Sequence, residues 1–332
     1  MRAIVLGFLV AMVVLAILVY VVGLSEVLTA LSAANRFAVV AVFGLSLLWM
    51  FAWSYSLHLV LGTLDSDTSV SRSFLVYTNV LFANGVAPFS VLGAEPLAAL
   101  FVSRATRTSY ERGFAAVASV DVLNFLPAPA FAMFGLLYFV VTTTLGKAIE
   151  IVILSLLVIF FLLVFGGYVG WRYRERLATK LFRYVVIFEQ WLASRLPRVR
   201  LPPPELLERQ IRTGLESLDR VAADRRTLLL SLTASTFGWM LLSATLWVAL
   251  WAVGSPVPVE APLFIVPLVT VTDLVPLPGG VGSVDTALVV LLVATAGVPA
   301  ASATAAVLVH RAASFLLPIV VGGVAVALVQ SS

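Results

Sequence analysis

Six ionisable residues stand inside otherwise apolar stretches of this chain: Glu95, Asp121, Asp273, Asp285, His310 and Arg311. Charge placed at membrane depth is costly, so such residues face a partner or a wet cavity and mark routes for ions or polar groups. Most of them lie in or beside segments interrupted by proline and glycine. Asn84-Gly85, Pro88, Gly93 and Glu95-Pro96 break one segment; Val275-Pro276-Leu277-Pro278-Gly279-Gly280-Val281-Gly282-Ser283 breaks the other. The acids are dispersed over separate segments, which suits holding a polar group better than metal or acid–base catalysis. There is no cysteine, and His58 and His310 are the only histidines. Thiolate chemistry is excluded, a histidine metal site is not expected, and no cofactor is implied.

The elements that must position these residues follow from composition. Of the 332 residues, 61% are hydrophobic and 11% charged, against about 25% charged in soluble domains. The apolar residues form separate runs near the length of about 20 residues needed to cross a bilayer. The expected fold is all-α: a polytopic integral membrane protein with about six full spans, two broken re-entrant helical hairpins and an inverted internal repeat. Residues 1–36 read as a retained first helix, Ala3 to Gly23, and an amphipathic segment from Ser25. Residues 37–145 form a first repeat containing a broken hairpin over 73–103. Residues 146–171 supply a linking span, residues 172–227 a basic amphipathic loop, and residues 228–332 a second repeat with a hairpin over 261–297.

The net charge of +4 does not signal nucleic acid, because the stretch Arg172 to Thr227 alone holds 13 of the 21 basic residues. A topogenic role accounts for that bias. The loop is then cytoplasmic, as is the C-terminus, in a multi-pass protein of the cell membrane. Pro202-Pro203-Pro204 separates two amphipathic patterns, Leu181 to Leu196 and Leu206 to Val221, that suit helices on the membrane surface. A protein partner at this loop is an open alternative.

Counting spans from the loop gives the two repeats opposite orientations. Ala115-Ala116-Val117, Asp121 and Phe125-Leu126 fall in register with Ala305-Ala306-Val307, Arg311 and Phe315-Leu316. Inverted repeats with discontinuous helices meeting near the midplane characterise alternating-access transporters. In such an arrangement Asp121 and Arg311 either pair ionically across the halves or jointly frame a headgroup site. Glu95 and Asp285 follow hairpin glycines and either cap the second half-helix or contact substrate. Gly93, Gly279, Gly280 and Gly282 either make tight turns or let backbone amides approach a phosphate. The run Gly279 to Gly282 lacks the lysine of a nucleotide loop. Arg104, Arg107 and Arg112 are either topology signals or attractants for anionic headgroups. His310 reads as a packed core residue.

The run Pro276 to Asp285, with Arg311 and Phe315 about 25 residues on, resembles the C-terminal signature of the lysylphosphatidylglycerol synthase transmembrane-region family, also called flippase-like (UPF0104-like) membrane proteins. Gly93-Ala94-Glu95-Pro96 with Asp121 is similar to its N-terminal counterpart, and the likeness covers nearly the whole chain. Asp285 stands where the family more often has glutamate, and one residue later after its glycine than Glu95. The sequence reaches Ser332 with no soluble aminoacyl-transfer domain, so lysine transfer is not expected. The resemblance implies movement of a polar or anionic lipid between leaflets, including a polyprenyl-phosphate-linked sugar among the candidates. The proposed lining is Glu95, Asp121, Asp285 and Arg311. A membrane-embedded enzyme acting on lipid-linked substrates and a scaffold subunit are the alternatives.

Overall fold

A computed structural model describes residues 22–66, 68–86, 90–142, 204–270 and 280–330, with isolated positions between 158 and 173. The expected segments Ala3 to Gly23, Ile151 to Trp171 and Leu181 to Leu196 fall largely or wholly outside them, as do Asp273 and Gly279. The described residues are helical, without strands: α1 (Leu24–Ser32), α2 (Arg36–Thr63), α3 (Val70–Val86), α4 (Ser90–Thr106), α5 (Tyr110–Phe125), α6 (Ala128–Thr142), α7 (Pro204–Ala223), α8 (Arg225–Ala252), α9 (Glu260–Val269), α10 (Ser283–Ala296), α11 (Ala300–Arg311), a π turn (Ala312–Leu316) and α12 (Leu317–Gln330).

Among the described residues, four helical stretches are long and apolar enough to cross a membrane: Arg36–Thr63, Tyr110–Gly135, Arg225–Ala252 and Ala300–Ala325. The amphipathic stretches expected from Ser25 and over Leu206 to Val221 are helical, as α1 and α7. The hairpins are α3–α4 and α9–α10, whose individual helices are shorter than a span. In the first hairpin the structure corrects the sequence reading. Gly93, Glu95 and Pro96 lie inside α4, not at a turn. Helix α3 ends at Val86 and α4 begins at Ser90, on either side of Pro88, a residue type that disfavours helix at the position before it.

The two long helices α2 and α8 are 28 residues each and begin alike. The Asn35 side chain accepts from the Phe37 and Ala38 N–H groups, and the Asp224 side chain from Arg226 and Thr227. These caps satisfy amide groups that no earlier turn can reach. The Thr227 hydroxyl donates to Asp224 at 2.7 Å and, with its own N–H, holds that surface carboxyl below its ordinary range.

The equivalent helices pack antiparallel. The Asn35 N–H donates to the Ala252 carbonyl at 2.9 Å, while Trp53 Nε1 donates to the Ser235 carbonyl at 3.3 Å. Trp53 also lies edge-on to Trp49 and Trp239, at 5.2 and 5.5 Å between ring centroids. Gly238 admits the Trp53 ring, since a Cβ there would collide with it. Antiparallel pairing of corresponding helices is the mark of an inverted repeat.

The remaining contacts obey the same two-fold relation. Helix α3 of the first repeat packs on α12 of the second, and α9 of the second packs on α6 of the first. The surface helices exchange too: α7 lies on α5 and α1 on α11. Both exchanged hairpin contacts are made at a glycine. A Cβ on Gly322 would strike the Thr78 carbonyl and Phe82, and one on Gly135 would strike Phe264. Lipid gives apolar helices little reason to associate, so close approach at small residues must supply the packing.

Gly135→Val and Gly322→Val are therefore expected to destabilise the protein by about 1–3 kcal/mol each, the usual range for overpacking. Gly44 faces open space, so Gly44→Ala is expected to be neutral or slightly stabilising. Thermal unfolding in detergent of the three variants reads the difference; equal melting temperatures would show that the exchanged contacts are not close-packed.

Candidate functional site

The ionisable residues sit at matching heights. Asp121 is the twelfth residue of the 26-residue stretch Tyr110–Gly135, and Arg311 the twelfth of the 26-residue stretch Ala300–Ala325. Both are therefore near mid-span. Glu95 and Asp121 stand 26 positions apart, as do Asp285 and Arg311. Measured against the helices, Asp285 matches Glu95 in register; the one-residue offset belongs to the hairpin glycine.

In the second repeat, Arg311 Nε donates to Asp285 Oδ1 at 3.0 Å, with the two side chains only 15% and 5% exposed. The other oxygen, Asp285 Oδ2, accepts the Gly282 N–H at 2.7 Å. One carboxylate thus closes the first turn of α10 and fixes the guanidinium on the next helix. Capping, one of the two roles the sequence allowed Asp285, is present, and the ion pair with Arg311 is one that the sequence reading did not assign to it. The turn that aims it requires glycine: φ is +63° at Gly280 and +87° at Gly282, in the left-handed region. Arg311 is also stacked on Phe315, 4.7 Å from the ring centroid. Phe315 and Ile319 in turn flank Gly85, so the tip of the first repeat's hairpin abuts the arginine helix of the second.

In the first repeat, α4 and α5 are packed closely where Gly113 meets Ala99 and Ser103. Following both helices inward by about two turns brings Glu95 level with Asp121, and each carboxylate lies in the other's electrostatic reach. Both are half-buried. Glu95 does not cap α4, which begins five residues earlier at Ser90. The expected cross-repeat partnership of Asp121 with Arg311 is not the one formed: Arg311 engages Asp285, and the charge acting on Asp121 is Glu95. Each site is built within its own repeat because the hairpin's second helix and the following span are nearest neighbours in sequence and space.

Around these pairs lie polar groups that the sequence reading did not single out. Asn124 Nδ2 donates to the Tyr77 hydroxyl at 3.5 Å, and Ser235 Oγ donates to Asn124 Oδ1 at 2.6 Å. Trp239 Nε1 donates to the Asn124 carbonyl at 2.6 Å. Ser46 Oγ donates to the Ala313 carbonyl at 2.6 Å. Phe315 was detectable from its spacing, one helical turn after Arg311. Serine in an apolar helix carries no comparable signal. His310 is buried, with Nδ1 2.7 Å from the Thr245 hydroxyl, in keeping with a core role. His58 lies 3.4 Å from the Ser73 hydroxyl.

Arg104 and Arg107 are exposed at the end of α4, with Arg107 in a left-handed turn at φ +55°. Arg112 lines a small cleft with Leu64, Thr213, Glu216, Ser217 and Arg220 where α7 crosses the start of α5. These arginines are at one end of the bundle, away from the two mid-span pairs.

Broken helices in an antiparallel repeat, with four stretches among the described residues long and apolar enough to span a bilayer, define an all-α polytopic membrane protein. The sequence profile of the lysylphosphatidylglycerol synthase TM region matches residues 4–322, and the chain belongs to that family. A UPF0104 membrane protein of Methanothermobacter thermautotrophicus is 28% identical over 98% of this chain and 92% of its own length. A second from that organism is 25% identical over 97% and 94%. A UPF0104 membrane protein of Pyrococcus horikoshii is 24% identical over 74% and 73%. Family and fold together make this a lipid-related membrane protein.

The double duty of Asp285 can be separated. Asp285→Asn keeps an acceptor for the Gly282 N–H but removes the carboxylate charge that Arg311 Nε engages, at an expected cost of about 3 kcal/mol. Asp285→Ala also removes the cap and is expected to cost about 1 kcal/mol more. Unfolding of the purified variants in detergent measures both steps. Equal stability of wild type and Asp285→Asn would mean that the ion pair contributes nothing to the fold.

Proposed function

We propose that this protein moves a polar or anionic lipid between the leaflets of the cell membrane without altering it chemically. The observation that carries this reading is the Asp285–Arg311 pair, held at mid-span where a broken hairpin meets a spanning helix. A guanidinium at that depth is expensive unless it is partnered, and its retention there suits a headgroup that must cross the apolar layer. Phosphate matches guanidinium geometry well. A headgroup phosphate would draw on Arg311 while Asp285 holds it through Nε. Gly280 and Gly282 leave backbone close by at the start of α10. Glu95 and Asp121 would line the same route from the first repeat, facing the remainder of the headgroup. The acyl or prenyl tails would stay in lipid throughout.

The exposed arginines support an orientation. Arg104, Arg107 and Arg112 lie at the same end as α7 and the start of α8, which bring Arg209, Arg212, Arg220, Arg225 and Arg226. Around the connection 253–259 at the other end of α8, no basic residue occurs. By the positive-inside bias the arginine-rich end is cytoplasmic, and there it would gather anionic headgroups near the entrance. The C-terminal end of α12 falls on that side. Single cysteines at Thr108 and Ser255, in a chain without native cysteine, should react with an impermeant maleimide from the cytoplasmic and the outer side respectively. Labelling of both from one side would overturn the orientation.

Transport itself is tested in liposomes. Purified protein is reconstituted with fluorescent phosphatidylglycerol, phosphatidylethanolamine and a polyprenyl-phosphate sugar in turn, and leaflet exchange is followed by dithionite quenching. Acceleration over empty vesicles is expected for at least one lipid, falling at least tenfold in Arg311→Ala. Absence of acceleration for every native lipid class would sink the reading, and a chemically altered lipid would favour a membrane-embedded enzyme instead.

A further inference from the structure

We infer that Ser46 is a positioning residue for Arg311, and that Ser235 is its counterpart for Asp121. Each hydroxyl sits on the long helix of one repeat and fixes the break in the other repeat's charge-bearing span. The geometry begins at the π turn that follows Arg311. The Leu317 N–H reaches back to the Ala312 carbonyl, one residue further than an α-helix would take it. The Ala313 carbonyl would then look to residue 318, which is Pro318 and has no N–H. That carbonyl is left without a partner inside its own helix. Ser46 Oγ, fully buried on α2, donates to it at 2.6 Å.

The first repeat presents the related problem. Helix α5 ends at Phe125, and the chain turns through Leu126 and Pro127 into α6. The Asn124 carbonyl at this break accepts Trp239 Nε1, and the Asn124 side chain accepts Ser235 Oγ, both from α8. Asn124 is three residues after Asp121, on the same helical face. Ser46 and Ser235 are 189 positions apart, as are the two helix caps Asn35 and Asp224, so the two serines hold the same place on their helices. Two hydroxyls at equivalent positions are thus each directed across the repeat boundary to a break just past the mid-span charge. A π turn is commonly found at functional sites, and here its pitch determines where the Arg311 fork points.

The geometric part of this inference stands without the transport reading; its consequence for activity rests on it. Spin labels are placed on the exposed positions Leu48 and Leu316, spanning α2 and the π turn, and in a second protein on Phe237 and Leu126, spanning α8 and the other break. Distance distributions are recorded by double electron–electron resonance in nanodiscs. Ser46→Ala is expected to broaden or shift the first distribution and leave the second unchanged, Ser235→Ala the reverse, and Ser46→Thr, which keeps the hydroxyl, to restore the first. Unchanged distributions, equal broadening of both pairs by either variant, or no rescue by threonine each overturn the assignment. If Ser46→Ala does not fold, the Ser235→Ala and Ser46→Thr arms decide. In the liposome assay, Ser46→Ala should lower exchange about fivefold with threonine close to wild type. A wild-type protein inactive on all lipids would defeat the transport reading while leaving the spin-label result to stand or fall separately.

Discussion

A carbonyl freed at membrane depth has no water to turn to, and this constraint shapes the molecule. Both charge-bearing spans are interrupted near their middles, and interruption releases backbone groups. The Asn124 carbonyl is answered by Trp239 and the Ala313 carbonyl by Ser46. Each answer comes from the long helix of the opposite repeat. The repeats are thus joined by more than surface contact: the irregular part of each is completed by the regular part of the other. Helices α2 and α8 can do this because they lie close together, with Trp53 seated on Gly238 and its indole N–H bonded to the Ser235 carbonyl.

On this two-fold frame the chemistry is unlike in the two halves. Matching positions hold Glu95 with Asp121 in one repeat and Asp285 with Arg311 in the other. The second pair is internally neutral and locked by a cap, a salt bridge and a stacked ring. The first brings two acids within each other's electrostatic reach, with Asn124, bonded to the Tyr77 hydroxyl, one turn after Asp121. A two-fold scaffold with acids in one half and a guanidinium pair in the other is electrostatically asymmetric, and on the proposed transport reading that asymmetry would orient a dipolar headgroup.

Much of this architecture was legible in the sequence. Apolar runs and proline breaks located α2, α8 and the second hairpin. The shared register of Asp121 with Arg311 exposed the repeat. The first hairpin lies where it was expected, but Gly93 and Pro96, read with Pro88 as breaks, fall inside α4, because packing against α3 and α5 carries the helix through both. The ion pair between Asp121 and Arg311, one of two alternatives, does not form for a related reason. Register shows which residues are equivalent, and equivalence under a two-fold axis does not mean contact. Asp285 lies on the helix just before α11, and short connections make sequential helices neighbours. Ser46 and Ser235 were invisible because a buried serine in an apolar helix looks like any small residue until its acceptor is known.

The small and hydroxylated residues of the central helices also bear on motion. In water, burying large apolar side chains would weld α2 to α8, but in lipid that driving force is largely absent. The interface instead relies on close approach at Gly238 and on hydrogen bonds from Trp53 and Asn35, while Ser46, Ser235 and Thr245 tie the two helices to the charge-bearing spans beside them. Such bonds are directional and individually modest, about 0.6 kcal/mol on average in a membrane interior. They can fix a geometry firmly while remaining cheap to exchange for another. The exchanged contacts at Gly135 and Gly322 have the same character, since a glycine surface offers no knob to lock the facing helix in register. A transporter needs two arrangements separated by only a few kcal/mol. A bundle whose halves meet through hydroxyls, indoles and glycine surfaces can supply them, whereas one welded by interlocking large side chains would be held in a single state.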